Sequence, residues 1–170
     1  LGSYYDWYVK RRISSIGLLW NRSSDAWLGS HLKKEERSLA IKRLLEREEI
    51  LEFKIADIGE IFYLPKNELI LLEDQKKHYE AALIAPLDNF IWDRKMIFRI
   101  FNFEYKWEVY TPAKDRKYGY YVLPIIYNGR FVGRCEPVID RKNKELIINN
   151  WWWEKDIKIN QVTIDALIRC

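Results

Sequence analysis

The chain has 170 residues, of which 48% are hydrophobic and 15% aromatic, enough apolar material to bury a core. No run approaches the roughly 20 apolar residues that span a bilayer, and two cysteines, Cys135 and Cys170, are too few for a disulfide scaffold. With His31 and His78 they show no zinc-site spacing, so we expect a soluble, reduced, intracellular protein with no cofactor or metal.

The first predicted element is a helix over residues 4–16. Ser3 can cap its start, and Gly17 is suited to the left-handed residue that ends it. The loop that follows carries two tryptophans, Trp20 and Trp27, which we expect to be buried anchors.

A second helix is predicted from Ser30 to about Glu49. Its apolar spacing gives a set of core candidates: Leu32, Leu39, Ile41, Leu44 and Leu45. Two short strands joined around residues 57–59 follow, and then a short helix from Lys66 to Glu73. A helix followed by a hairpin is the order of a winged helix, so we assign residues 1–80 to a winged-helix module.

From residue 81 onward, strand patterns dominate. Asp93 can cap a helix that runs to Phe101, and apolar and polar residues alternate over 105–110. Asn128-Gly129 is a strong hairpin signal. Short turns between these strands indicate a small antiparallel β-barrel-like module over residues 81–170, with the start of a helix at its end. The predicted fold class is therefore α+β.

The two ends of the chain carry a further expectation. The sequence starts without Met and stops within a helical pattern that has no terminating residue. We therefore expect the chain to be part of a longer protein.

Positive charge is concentrated in one stretch of a chain whose net charge is +4. Residues 92–144 hold twelve Lys or Arg and six Asp or Glu, a balance of +6, which leaves −2 for the rest. Phosphate contacts dominate DNA affinity, although a solvated basic face is an equally good interpretation of charge alone. The candidate DNA-binding residues are Arg94, Lys95, Lys114, Arg116, Lys117, Arg130, Arg134, Arg141 and Lys142.

Two other features are interpreted as structural. In a strand, Trp151 and Trp153 share one face and Trp152 takes the other, which favours core on one side and a domain interface on the other; stacking on an exposed base is the alternative. Asp93 is explained as a helix cap and Asp88 as a turn residue. No catalytic group is therefore predicted in this chain.

Residues 85–142 resemble the AlkZ/YcaQ-type winged-helix DNA glycosylases, and the match weakens but continues upstream to residue 17. The motifs that carry the resemblance are PLD (86–88), WDR (92–94), F-x-F-x-Y (101–105), E-x-Y-x-P (108–112), YGYYVLP (118–124), GR-x-VGR (129–134) and DRK (140–142).

The resemblance implies tandem winged helices followed by a C-terminal β-barrel around a positively charged DNA channel. It also implies a bacterial, cytosolic and nucleoid-associated hydrolase that removes alkylated bases, in some members from crosslinks. The family's catalytic pair, Gln-x-Gln or Gln-x-Asp, lies in an N-terminal winged helix. Here the glutamines are Gln75, followed by Lys-Lys, and Gln161, followed by Val-Thr.

The expected partners are therefore double-stranded, damaged DNA and a missing N-terminal winged-helix segment of the same protein. This chain alone is predicted to be inactive, because its sequence lacks the pair that positions the attacking water. Two other hypotheses remain open: a winged-helix regulatory protein that never had the activity, and a structural module whose basic face contacts protein.

Overall fold

The computed structural model describes residues 2–29, 31–73, 80–155 and 157–170. The chain forms two compact units. The first unit comprises Leu1–Gln75 and Asn89–Asn102, and the second unit comprises Lys76–Asp88 and Phe103–Cys170. The division into domains at residue 81 stays a prediction.

The first unit combines helices with a small sheet. Its helices are α1 (Gly2–Ile16), α2 (Lys34–Glu46), the single turn α3 (Ile70–Glu73) and α4 (Arg94–Phe101). Its antiparallel strands are β1 (Leu19–Trp20), β2 (Ile50–Lys54) and β3 (Ile61–Pro65), in the order β1-β3-β2. A helix followed by two paired antiparallel strands is thus confirmed for α2, β2 and β3.

The first helix ends as predicted but begins earlier. Gly17 has φ +86 and donates its N–H to the carbonyl of Ile13 at 2.8 Å. Such a left-handed residue is suited to glycine, which has no Cβ to clash. Ser3 lies inside α1 and does not cap it, because the helix already includes Gly2.

The second helix differs from its prediction at three points. It begins at Lys34, with Ser30 outside the described residues, and it ends at Glu46 rather than at about Glu49. Of the core candidates, Leu39 is wrong, since its side chain is 56% exposed. The buried face of α2 runs through Arg37, Ala40, Ile41 and Leu44, and residue 39 lies off that stripe.

An ion-pair cluster joins α1 to α2. The buried carboxylate of Asp6 accepts from Arg43 Nη2 at 2.6 Å and from Arg47 Nη1 at 3.0 Å. The Arg43 hydrogen bond is the main reason that the pKa of Asp6 lies below its ordinary value, and it outweighs the opposing effect of burial. Helix pairing here depends on an ionised carboxylate.

Helix α4 is held in the first unit by its cap. Asp93 is 1% exposed; its carboxylate accepts from Met96 N at 3.0 Å and from Trp20 Nε1 at 2.6 Å. The predicted cap and the end of the helix at Phe101 are confirmed. Met96 lies in the same core as Val9, Leu44 and Phe62.

The second unit is built on one antiparallel sheet. Its strands β4 (Ala81–Leu83), β5 (Leu123–Tyr127), β6 (Arg130–Asp140) and β7 (Glu145–Trp153) lie in sequence order, and helix α5 (Gln161–Ile168) contacts β4. The turn at Asn128 (φ +48) and Gly129 (φ +71) joins β5 to β6 as predicted.

This sheet is antiparallel as predicted, but in the described residues it is open and not closed into a barrel. Strand β5 pairs with only the first half of β6, up to Cys135. The outer halves of β6 and β7 pair with each other alone, past a bulge at 136–137. Residues 137–148 form a two-stranded ribbon beyond the end of β5, and β7 is an edge strand that does not pair with β4.

The alternating segment 105–110 is not a strand. Residues 108–110 form a 3-10 turn, and residues 105–107 pair with no strand. Its side chains are instead anchored one by one: the Tyr105 hydroxyl donates to the Val122 carbonyl at 2.9 Å, and Glu108, on the face that the alternation predicts to be polar, is buried. The fold is thus α+β, and no helix in the described ranges is long and apolar enough to cross a membrane.

Candidate nucleic-acid interface

The loop between residues 111 and 121 is fixed from beneath by Glu108. Its two carboxylate oxygens accept the backbone N–H groups of Lys117 and Tyr118, each at 2.9 Å. Burial by itself would raise the pKa of Glu108, but these N–H donors outweigh it, and the pKa lies below its ordinary value. Glu108 therefore holds the loop as a buried anion.

A second carboxylate, Glu136 on β6, holds the end of the same loop. It accepts from the backbone N–H of Tyr120 at 2.7 Å and from the Asn150 side chain at 3.0 Å. Gly119 lies so close that a Cβ there would be 2.4 Å from Glu136 Oε1. A larger residue at this position would therefore have to displace the Glu136 carboxylate from the backbone N–H groups that it accepts.

The fixed loop presents three of the predicted DNA-binding residues. Lys114 and Lys117 are exposed and Arg116 is half-buried. Arg116 Nε donates to the Thr111 carbonyl at 2.9 Å, and its guanidinium lies 5.0 Å from the centre of the Tyr120 ring. The name basic loop is used below for Lys114, Arg116 and Lys117.

Arg134 is placed very differently. Its side chain is 3% exposed and pairs with Glu154 at 2.6 Å. The guanidinium lies 4.5 Å from the Phe103 ring centre and 4.2 Å from that of Tyr118. A phosphate could reach it only if this packing opened, so in this structure Arg134 joins Tyr118 at the basic loop to the sheet.

The remaining basic candidates of the second unit lie at two turns. Arg130 is exposed at the start of β6 and lines a cavity of about 750 Å³ with Lys158 and Asn160. Arg141 and Lys142 are exposed at the tip of the β6–β7 ribbon. Asp140 shapes that tip by accepting the Lys142 N–H at 2.9 Å.

Arg94 and Lys95 begin α4 and belong to the first unit. Lys95 lines a groove of about 420 Å³ with Trp20, Arg22, Phe98 and Arg99. Sequence reasoning did not select Arg22 or Arg99. Arg99 follows Lys95 by four residues, so helical spacing could have placed it on the same face of α4. Arg22 lies far away in the sequence and reaches the groove only through the tertiary fold.

Both added arginines in this groove are compensated. Glu60 pairs with Arg22 Nη1 at 2.8 Å and with Arg99 Nε at 3.1 Å. The Arg99 hydrogen bond is the leading reason that the pKa of Glu60 lies below its ordinary value. The groove thus offers less uncompensated positive charge than its two arginines and one lysine suggest.

Within the residues that the structure describes, no group of His, Cys, Asp or Glu side chains is arranged to hold a metal ion. No solved structure matches the chain. The family of proteins described as DNA glycosylase AlkZ-like matches residues 2–168. The match covers nearly the whole chain, which therefore belongs to the AlkZ-like DNA glycosylase family.

Proposed function

We propose that this chain binds double-stranded DNA as the DNA-handling part of a glycosylase that acts on alkylated or crosslinked DNA. The observation that carries the proposal is the basic loop, whose backbone is held by the buried carboxylate of Glu108 and the half-buried carboxylate of Glu136 while Lys114 and Lys117 extend into solvent. Cations on a preorganised backbone suit phosphate contacts, which supply most non-specific DNA affinity.

The other predicted cations are proposed phosphate contacts of each unit taken by itself. In the second unit these are the exposed Arg130, Arg141 and Lys142, and in the first unit they are the half-buried Arg94 and the exposed Lys95. We assign Arg134 to positioning, since Glu154 already pairs with it at 2.6 Å. In our proposal the helix and hairpin of residues 1–80 form a winged-helix module, supported by the order α2, β2, β3.

We further propose that this chain does not itself hydrolyse the N-glycosidic bond. A hydrolytic water must be held within hydrogen-bond reach of its activator. In the family that this sequence resembles, the activating pair is Gln-x-Gln or Gln-x-Asp, and neither Gln75 nor Gln161 begins such a pair. The pair would have to come from elsewhere in the same protein.

Two assays test the proposal. In the first, fluorescence anisotropy follows binding of the chain to a duplex of about 20 base pairs as salt rises from about 50 to 200 mM. We expect a linear fall of log affinity with log salt, because counterions are released on binding. Binding that is absent or insensitive to salt would leave the protein-contacting structural module as the better hypothesis.

The second assay measures release of 7-methylguanine from alkylated duplex DNA by the purified chain. We expect none above the protein-free rate, and measurable release would contradict the proposed inactivity. A Gln-x-Gln or Gln-x-Asp pair elsewhere in the parent reading frame would favour the enzyme over the regulatory protein.

A further inference from the structure

Helix α1 has a second face that the core of the first unit uses only at Tyr8, which is half-buried and packs against the core. The core face carries the buried residues Asp6, Val9 and Ile13. The other face repeats at helical spacing along the same length: Tyr4, Trp7, Tyr8, Arg11, Arg12 and Ser15. Aromatic rings alternate with arginines on this face, which lies outside the candidate residues chosen from charge.

This face forms one wall of a groove of about 330 Å³ in the first unit, whose other wall is Asn89 and Trp92. That volume is at the lower end of the roughly 300–1,000 Å³ typical of ligand pockets. It suits a flat ring system with one charged substituent. The name aromatic groove is used below for Trp7, Tyr8, Arg11, Arg12, Ser15, Asn89 and Trp92.

The inner part of the aromatic groove is preorganised around Arg12. Its guanidinium donates to the Tyr8 hydroxyl at 2.7 and 2.9 Å and to the Leu28 carbonyl at 2.9 Å. It also lies 5.2 Å from the Tyr8 ring centre and 5.0 Å from that of Trp92. These contacts fix one cation and two rings before any ligand arrives.

The outer part is open. The side chain of Trp7 is 55% exposed, and the Arg11 guanidinium lies 5.6 Å from its ring centre. Among the described residues Arg11 forms no ion pair, in contrast to the neighbouring Lys10, which pairs with Glu49 at 2.7 Å. An indole face and an uncompensated cation are thus presented together.

The charge of the lining decides which ligand fits. The groove carries two arginines and no carboxylate, which favours an anionic ligand. A proline-rich peptide also docks on aromatic rings, but it carries no anion for the arginines. An unpaired nucleotide offers both a phosphate and a base whose flat face can stack on an indole, whereas in a duplex those faces are covered by neighbouring bases.

We propose that the aromatic groove binds an unpaired nucleotide of DNA, with its base stacked on Trp7 and its phosphate contacted by Arg11. The choice of DNA rests on the proposed function of the chain. The site is distinct from the basic loop, and it would favour single-stranded or unstacked DNA over an intact duplex.

The test compares the wild-type chain with Trp7→Ala and Arg11→Ala. Affinity is measured by anisotropy for an oligothymidine of about ten nucleotides and for a blunt duplex. We expect Trp7→Ala to weaken oligothymidine binding about five- to tenfold, as loss of one stacking platform does, while duplex affinity stays nearly unchanged. Tyr110→Ala, which removes an exposed aromatic of the second unit, and Lys42→Ala, which removes an exposed cation of α2, are the controls.

Trp7→Phe provides a check that preserves packing. Quenching of tryptophan fluorescence by oligothymidine should be smaller in this variant than in the wild type, because the stacked indole is gone. Equal quenching in the two proteins, or oligothymidine affinity that Trp7→Ala leaves unchanged, would overturn the proposal. Quenching of Trp7 by a polyproline peptide but not by oligothymidine would overturn it in favour of a peptide site.

The two proposals fail in different ways. Salt-sensitive duplex binding with single-strand binding that ignores Trp7 would remove the groove proposal alone. Trp7-dependent oligothymidine binding without duplex binding would support the groove while removing the proposed duplex function.

Discussion

In the first unit, the carboxylates of Asp6 and Glu60 each pair with two arginines. In the second unit, Glu108 and Glu136 accept backbone N–H groups of the 111–121 loop instead. The first arrangement neutralises surface cations. The second leaves Lys114 and Lys117 of the same loop exposed and without an ion pair among the described residues, whereas Arg116 lies near enough to Glu136 to help lower its pKa. A buried or half-buried carboxylate can thus neutralise nearby arginines, or it can hold a loop backbone whose lysines stay exposed.

Lowering the pH should give the largest effect, because it acts on both kinds of carboxylate together. The folded-state pKa values of Asp6, Glu108 and Glu136 all lie below their ordinary values of 3.8, 4.5 and 4.5. A depressed pKa stabilises the fold above the ordinary value and loses that contribution as pH falls through the folded one. Urea unfolding should therefore show a nearly constant free energy from pH 7 to 5 and a decline below about pH 4. Unchanged stability at pH 3 would contradict this use of the carboxylates.

Glu108→Ala should give the largest effect of a single substitution. It leaves the N–H groups of Lys117 and Tyr118 without their acceptor, and we expect a loss of about 1–3 kcal/mol for each that stays buried. DNA affinity should fall too, although no cation is removed, because the basic loop loses its support. Urea unfolding and duplex binding by anisotropy measure the two effects. The charge-matched control is Glu145→Gln at the exposed ribbon. Equal losses of stability and of duplex affinity in the two variants would contradict the proposed role of Glu108.

Asp6→Asn should destabilise the first unit by about 1–2 kcal/mol, a value reduced because Arg43 and Arg47 are partly exposed. The amide keeps the size of the side chain but loses the charge that holds both guanidinium groups. Duplex affinity should stay close to that of the wild type, since the freed arginines are outside the proposed surface. A clear rise in duplex affinity would place the freed Arg43 and Arg47 in the DNA interface.

The smallest expected effect comes from single lysines. Lys114 forms no ion pair among the described residues, whereas Lys66 pairs with Glu48 at 2.5 Å. Lys114→Ala should lower the slope of log affinity against log salt by about 0.9, the value of one phosphate contact. Lys66→Ala should leave the slope nearly unchanged. Equal slopes in the two variants would show that compensation by carboxylates does not decide which cations bind DNA.

Features set by local chemistry could be predicted from the sequence. Asp93 as a cap, Gly17 as a left-handed terminator and Asn128-Gly129 as a turn each depend on a few neighbouring residues. The family could also be identified, because its motifs are contiguous in the chain.

Features set by tertiary contacts could not be predicted from the sequence. Charge alone does not distinguish Arg134, buried between two rings, from Arg130, exposed four residues earlier. The alternation over 105–110 imitates a strand, but its two buried residues, Tyr105 and Glu108, lie three apart and are held by separate contacts that the sequence pattern does not show. The aromatic groove was missed because its two walls, which carry Trp7 and Trp92, lie 85 residues apart in the sequence and are brought together only by the tertiary fold.

Contact between the basic loop and DNA phosphates can be tested with a pair of triple variants. One removes the loop cations (Lys114→Ala, Arg116→Ala, Lys117→Ala), and the other removes three exposed lysines of the first unit (Lys34→Ala, Lys42→Ala, Lys66→Ala). Both lose the same net charge. We expect the loop variant to lower the slope of log affinity against log salt for duplex binding by about 2 to 3 and the matched variant to lower it by less than about 1. Equal reductions in the two variants would contradict contact between the basic loop and the phosphates.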